Sequence, residues 1–509
     1  MTDKENRQRL KEPSTLAGKA LVLTVANAIG TVANLITPFV LVRIFTKEDY
    51  GLLGMVFFLI TSLHSLVGLN ISNSAAFFIP RKEMEPRAVI GTIQGFNLLV
   101  GAFLLVGMVL APGPVLWLFK SEGVESHILI VGLTLLVWNG SRAMSLAPIA
   151  LGRSAVSAAY IAVTESIKNV FVLVPGLVYG TVESVLWGFL TWSVLRMLLV
   201  AGFFRFSVGV RMSDFDFGVL RRMLSYSLPF GVTTIIVYLF TKYHGFLMVH
   251  YADEETFAVY RAGTMQLPLV MLVLESAIQI LTPEVARLQG EGDKEEIIRV
   301  CARAGVRLAT LFLPMLAFLL IMAVEFITVC FTEAYLGSVA IFRVNLMELL
   351  IVLIILDPII RAFEELKFLR LKLYSIGLLV LLVAGRPVIE SHGAAGAVAL
   401  TLGVYMINKL ITFWWVRRTI GIDWKHMVHL SDLRHILRGC LFGAALALGI
   451  RAVVPAWLEG SLGWTNWWTA LGTLAVSGLL FVGGFLLALE GGIGLGRLRA
   501  LTGLKLGRS

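Results

Sequence analysis

Residues 45–54, FTKEDYGLLG, show the pattern that organises the whole chain: a brief polar turn between two long apolar runs. Such runs recur near 20–42, 52–79, 88–111, 127–150, 155–178, 183–205, 223–248, 257–281, 303–325, 336–358, 369–388, 394–416, 436–456 and 466–489. About 20 apolar residues is the length of helix that crosses a hydrocarbon layer with every backbone N–H and C=O paired internally. The pattern predicts an all-α polytopic membrane protein of about fourteen transmembrane helices. No stretch is long and polar enough to form a separate soluble domain.

Composition agrees. The 509 residues are 57% hydrophobic and 15% charged, with a mean hydropathy of +0.84; soluble chains are about 45–50% apolar and about 25% charged. The N-terminus, MTDKENRQRLKEPSTLAGK, is polar and charged, and the apolar run after it has full span length. It reads as a retained first helix, since a secretory signal would carry a shorter apolar core and a small-residue cleavage site.

Lys and Arg positions test the count. Thirty-one of the 43 fall in alternating segments: the N-tail, the turns near 81–87, 151–154, 205–222, 284–307, 361–372 and 417–438, and the C-tail. Only Arg43, Lys47, Lys120, Arg386 and Arg451 fall in the opposite set, and seven lie inside spans. A bias held in register over so many spans is a positive-inside signal, so both termini are expected on the cytoplasmic side of the cell's inner membrane. Trp464, Trp467 and Trp468 at an outer boundary, and Trp414 and Trp415 at an inner one, fit the interfacial preference of indole rings. The net charge of +10 is mostly this topogenic charge facing anionic membrane lipids, which argues against nucleic acid as a partner.

The chain also echoes itself. Laying 41–57 on 248–264, an offset of 207, aligns Val42 with Val249, Glu48 with Glu255, Tyr50 with Phe257 and Gly51 with Ala258. The same offset separates the first and seventh spans. Six spans per half gives two lobes of the same orientation, related by a pseudo-two-fold axis along the membrane normal, and substrate sites in such transporters lie at the repeat interface. The expected organisation is a cytoplasmic tail 1–19, an N-lobe 20–206 (helices 1–6), a cytoplasmic linker 207–222, a C-lobe 223–420 (helices 7–12), two further helices in 421–489 and a cytoplasmic tail 490–509.

The chemistry lies in the charges within spans. Seven are cations: Arg142, Lys168, Arg196, Lys242, Arg261, Arg343 and Lys409. The anions are Glu165, Glu275 and Glu348, with Asp357 near the end of a span. A charge at the bilayer centre costs about 2.5–3.5 kcal/mol on insertion scales, so such groups pair or line wet cavities. Arg142, in WNGSR, lies near the midplane of its helix. Glu165 and Lys168 are three residues apart and meet on one helix face. Lys242, Arg261 and Arg343 are within about two turns of the outer surface, where long side chains also snorkel to headgroups. Glu275, Glu348 and Asp357, with Glu165, are candidates for ion coupling or for pairing with the cations. His64 reads as a packed core histidine. Asn70 and Asn73, in GLNISN, mark either a local unwinding or interhelical hydrogen bonds. The excess of cations favours an anionic passenger, and both Arg and Lys suit phosphate.

Cys301, Cys330 and Cys440 are far apart and show neither disulfide nor metal spacing. The sequence carries no phosphate-binding Gly-rich motif and no nucleophile triad, so no enzyme, cofactor or metal is expected.

FTKEDYGLLG, SYSLPFG (225–231) and LTPEVARLQGEGDKEE (281–296) resemble motifs of the bacterial polysaccharide (O-antigen-type) flippases of the multidrug/oligosaccharidyl-lipid/polysaccharide exporter (MOP) superfamily. The resemblance covers essentially the whole chain. It implies a two-lobed transporter with a central cationic lumen and alternating access. The implied cargo is an oligosaccharide on a polyprenyl pyrophosphate, moved from the inner to the outer leaflet, with glycan-assembly proteins as candidate partners. Three other readings stand beside it: a peptidoglycan-precursor flippase or another exporter of the superfamily, a polytopic glycan-processing enzyme, and a passive scaffold whose intramembrane cations are replaceable.

Overall fold

A computed structural model describes residues 34, 36–366, 368–421, 430–462 and 466–493. Among these the chain is helical throughout, with no strand. Among the described residues eleven helices are long and apolar enough to cross a membrane. Three features separate this number from the fourteen expected runs. Most of the first run, like the N-tail and most of the C-tail, lies outside the described residues. The run at 127–150 forms a helix of only 13 residues, Ile128–Gly140. The runs at 369–388 and 394–416 join into Leu369–Ile420 across a kink at Gly393 (φ 59°, ψ −152°), a conformation open only to glycine.

The described residues fall into two compact units, one running to Tyr238 and including Ala252–Ala258, the other made of Leu239–Tyr251 and the residues from Val259. The boundaries after Tyr238 and Ala258 fall within helices and the one after Tyr251 at a helix end, all beyond the expected linker at 207–222.

The first unit contains α1 (Lys47–Val67), α2 (Asn73–Phe78), α3 (Pro86–Leu110), α4 (Ile128–Gly140), α5 (Ser154–Tyr179), α6 (Val182–Ser207) and most of α7 (Phe217–Thr241). Thr46 starts α1: its Oγ1 accepts from the Asp49 N–H (3.1 Å) and donates to the Asp49 carboxylate (2.7 Å). Such a cap is worth ~1 kcal/mol, and Glu48 and Asp49 add negative charge to the positive end of the helix dipole. Gly51 lies inside this helix, not ahead of it as a turn residue would. A Cβ there would lie 1.8 Å from the Glu254 carbonyl oxygen, so the glycine admits a backbone-to-backbone approach. Ser121 donates to Glu254 Oε1 (2.5 Å) and Phe58 meets Phe257 edge-on at 6.3 Å, so the segment 252–258 packs against α1 and the turn at Ser121. An apolar core of Ile71, Phe78, Ile90, Met144, Phe204 and Met223 joins α2, α3, α6, α7 and the segment after α4.

The second unit contains α8 (Tyr243–Tyr251), the end of α9 (Glu254–Gly263), α10 (Pro268–Glu291), α11 (Lys294–Ile321), α12 (Ala323–Phe331), α13 (Val339–Asn345), α14 (Glu348–Val352), α15 (Asp357–Ala362), α16 (Leu369–Ile420), α17 (Leu430–Leu462) and α18 (Asn466–Ile493). Met322, Ile436, Phe481 and Phe485 pack α17 and α18 against α11. Arg451 and Glu325 tie α17 to α12 through a 2.6 Å ion pair.

The helices that break are the ones that matter for the site. The second span ends at Gly68, turns through Leu69 (φ 43°) and Asn70 (φ 54°), and resumes as α2. Positive φ at a leucine is costly. The turn is held by Asn70 Nδ2, which donates to Thr234 Oγ1 (2.6 Å) and the Phe230 carbonyl (3.4 Å) of α7. The fourth span breaks after Gly140 into a 3-10 turn, Arg142–Ser145. The corresponding eighth and tenth spans also break, the eighth between Gly263 and Pro268 and the tenth into α13, α14 and α15. Interrupted segments at matching positions of two repeats are the strongest pointer to a binding site in such folds.

Candidate functional site

In the first unit the site grows from the break in α4. Ser141 closes the helix by donating to the Trp138 carbonyl (2.8 Å). This puts Arg142 at the first residue of the 3-10 turn, in the middle of a span. Its guanidinium lies directly against Gly68, the last residue before the break after α1: Nη1 is 1.4 Å from where a Cβ on Gly68 would be. Arg142 Nε is buried without a hydrogen-bond partner, and no carboxylate pairs with the side chain among the described residues. A buried cation without a counter-charge is costly.

Lys168 and Arg196 differ from Arg142 in sharing one carboxylate. Lys168 Nζ donates to Glu165 Oε2 (2.5 Å), and Arg196 Nη1 lies 3.5 Å from Glu165 Oε1. Arg196 Nε donates to the Tyr160 hydroxyl (2.8 Å), and its guanidinium sits 5.0 Å from the Trp192 ring centroid and 5.4 Å from that of Tyr160. Asn169 steadies this part of α5, donating to the Glu165 carbonyl (2.9 Å) and accepting from Thr37 (2.6 Å). Two cations share one carboxylate here and Arg142 adds a third positive charge, which leaves this part of the unit positive.

Aromatic rings wall the cluster. His64 stacks flat on Trp138, centroids 4.0 Å apart and planes 6° from parallel. Trp138 meets Phe189 and Trp192 edge-on at 5.4 and 6.2 Å. His64 is thus a packed ring, as its apolar setting suggests, and lies within electrostatic reach of Arg142 and Arg196. Asn139, beside Trp138, is fully buried with neither amide atom hydrogen-bonded.

The second unit repeats the scheme with different residues. Asp357, at the start of α15, lies 3.3 Å from Lys409 and 3.4 Å from Arg370, both on α16. Lys409 sits 5.8 Å from the Tyr405 centroid and Arg370 5.6 Å from that of Tyr374. Here too one carboxylate serves two cations against aromatic faces. Lys242, at the break between α7 and α8, is within electrostatic reach of Glu348. The remaining expected residues stand apart from these clusters. Arg261 is half-buried in the last turn of α9. Arg343 is exposed and donates to the Leu320 carbonyl (3.2 Å). Glu275 is exposed on α10.

Arg370 and Arg451, counted as loop charges in the sequence, instead lie on helices and pair with carboxylates of neighbouring helices. The aromatic partners Tyr160, Trp192, Tyr374 and Tyr405 also went unread. Their signal was the i,i+4 spacing of Trp192–Arg196, Arg370–Tyr374 and Tyr405–Lys409, which places a ring and a cation on one helix face.

Residues 40–340 match the family described as "Polysaccharide biosynthesis protein". The chain belongs to this family. The matched residues include the whole first-unit cluster, with Lys242, Arg261 and Glu275, and stop short of Arg343, Glu348, Asp357 and Lys409. No curated protein matches the sequence significantly. Among solved structures the fold is similar to "Lipid II flippase MurJ, inward closed conformation" (TM-score 0.67, 14% identity, 92% of this chain and 98% of that one). It is similar also to an inward-facing multidrug resistance MATE family transporter of the MOP superfamily (TM-score 0.59, 16% identity, 78% and 98%). A third is a MOP superfamily transporter from Pyrococcus furiosus (TM-score 0.53, 15% identity, 78% and 94%). At these identities the likeness is one of fold. This member of the polysaccharide biosynthesis family is a multi-pass membrane protein with the fold of the MOP superfamily flippases and transporters.

Proposed function

We propose that the protein is a flippase that carries a polyprenyl-pyrophosphate-linked oligosaccharide from the inner to the outer leaflet of the cytoplasmic membrane. It works by alternating access and has both termini in the cytoplasm. The observation that carries this reading is Arg142: a guanidinium inside a span, at a helix break, with an orphan Nε and no carboxylate partner among the described residues. Its fork geometry suits a diphosphate. Lys168 and Arg196 add charge beside it, and the rings of Trp138, Trp192 and Tyr160 suit the apolar faces of sugars. Membership of a polysaccharide biosynthesis family and the transporter fold support the same cargo class. Lys409 and Lys242 are proposed as further substrate-binding cations. Arg261 and Arg343 are proposed to act nearer the outer surface. Glu165, Glu275, Glu348 and Asp357 serve pairing or ion coupling.

A second cargo, a peptidoglycan precursor, is favoured by the likeness to a lipid II flippase; its diphosphate would meet the same cations. Binding to purified protein separates the two. The proposal expects a lipid-linked surface-glycan oligosaccharide to bind more tightly than lipid II, and Arg142→Gln to weaken binding about 10- to 100-fold, the loss of about 1.5–3 kcal/mol for a hydrogen bond to a charged group. Equal binding by wild type and Arg142→Gln contradicts the site.

A further inference from the structure

Between α3 and α6 of the first unit runs a groove of about 910 Å³ that the proposed transport chemistry does not use. Leu98, Leu99 and Ala102 of α3 and Leu198 and Gly202 of α6 line its apolar length. Leu99 and Leu198 are 57% and 59% exposed, so these apolar walls are open at the surface of the unit. Gly202 leaves the groove open at its middle: a Cβ added there would meet nothing within 4 Å.

One end is polar. Gln94, Arg205 and Arg211 line it, and both arginines are exposed and without an ion-pair partner among the described residues. The loop that carries Arg211 is fixed in place. Arg87 pairs with Asp214 (3.7 Å), Asp214 accepts from the Arg211 N–H (2.7 Å), and the Phe215 ring fills the space left by the missing side chain of Gly95. On the positive-inside distribution of the loops, this end faces the cytoplasmic leaflet, whose lipids are anionic.

We propose that this groove binds an anionic phospholipid of the cytoplasmic leaflet, with an acyl chain between α3 and α6 and the phosphate held by Arg205 and Arg211. Charge complementarity selects this occupant. A zwitterionic lipid fills the apolar length equally well but offers less net charge to two guanidinium groups that have no ion-pair partner among the described residues, and guanidinium forks suit a phosphodiester. The site is separate from the buried cations, since its arginines lie at the helix ends and open to the surface of the unit.

The test uses the purified full chain in detergent micelles with phosphatidylglycerol or phosphatidylcholine carrying a photoactivatable acyl chain. Crosslinked peptides are mapped by mass spectrometry. The expected result is several-fold greater labelling of 98–102 and 198–202 by the phosphatidylglycerol probe. Arg205→Gln with Arg211→Gln should abolish that preference, and Gly202→Leu, which fills the groove without a clash, should lower labelling by both probes. Equal labelling by the two probes in the wild type, or an unchanged preference in the double variant, overturns the proposal. If the variants fail to fold, competition on the wild type decides. Excess unlabelled phosphatidylglycerol, and not phosphatidylcholine, must displace the probe; equal displacement by both overturns it.

Discussion

The guanidinium of Arg142 stands where a side chain on Gly68 would begin, with Nη1 1.4 Å from the place a Cβ would take. Two helix breaks thereby meet at one cation. Gly68 has ordinary helical angles (φ −73°, ψ −11°), so alanine there strains no backbone, and the end of a flexible arginine is free to move aside. Gly68→Ala is predicted to fold at near wild-type abundance and yet to lower glycan export as Arg142→Ala does. Normal export by a well-expressed Gly68→Ala protein would show that the position of Arg142 is immaterial.

The approach of Glu254 to Gly51 has the opposite character, because the obstructing atom is a backbone carbonyl 1.8 Å from the added Cβ. Gly51→Ala must push two backbones apart, and overpacking of this kind costs about 1–3 kcal/mol. Thermal unfolding of the purified protein should show a lower Tm for Gly51→Ala and no loss for Gly107→Ala, where an added Cβ meets nothing within 4 Å.

Removing Asp357 leaves Lys409 and Arg370 without a counter-charge. Breaking a fully buried pair costs about 3–5 kcal/mol. The cost here is smaller, because the Asp357 side chain keeps 27% exposure. Asp357→Ala is expected to lower Tm, and adding Lys409→Met is expected to restore part of it. A double variant no more stable than Asp357→Ala alone would mean that the pair is not coupled in the folded protein.

The charge distribution predicts sidedness. In intact cells, a cysteine at Ser126 should react with an impermeant maleimide, whereas one at Gly290 should react only after permeabilisation. Both positions are exposed, and the three native cysteines are buried. The reverse pattern would invert the topology.

Span periodicity made the membrane class and the helical fold readable, because a bilayer permits so few structures. The unwinding at GLNISN was legible as one of two readings, and both hold: Asn70 sits in a positive-φ turn and donates across to α7. The pairing of Glu165 with Lys168 followed from helix spacing alone. The sharing of Glu165 with Arg196, and of Asp357 with Arg370 and Lys409, depends on which helices become neighbours, and no local pattern encodes that. Counting charges by loop assigned Arg451 to a turn. Its Glu325 partner, 126 residues away in sequence, lets it lie along a helix instead.

The most direct test is translocation in proteoliposomes with a fluorescent lipid-linked oligosaccharide diphosphate, read as the fraction accessible to a glycan-cleaving enzyme outside. Wild-type protein should move the lipid between leaflets. Arg142→Ala and Lys168→Ala, reconstituted to equal levels, should each slow it several-fold, and the double variant should approach protein-free vesicles. Full-rate translocation by the double variant would contradict the buried cation site.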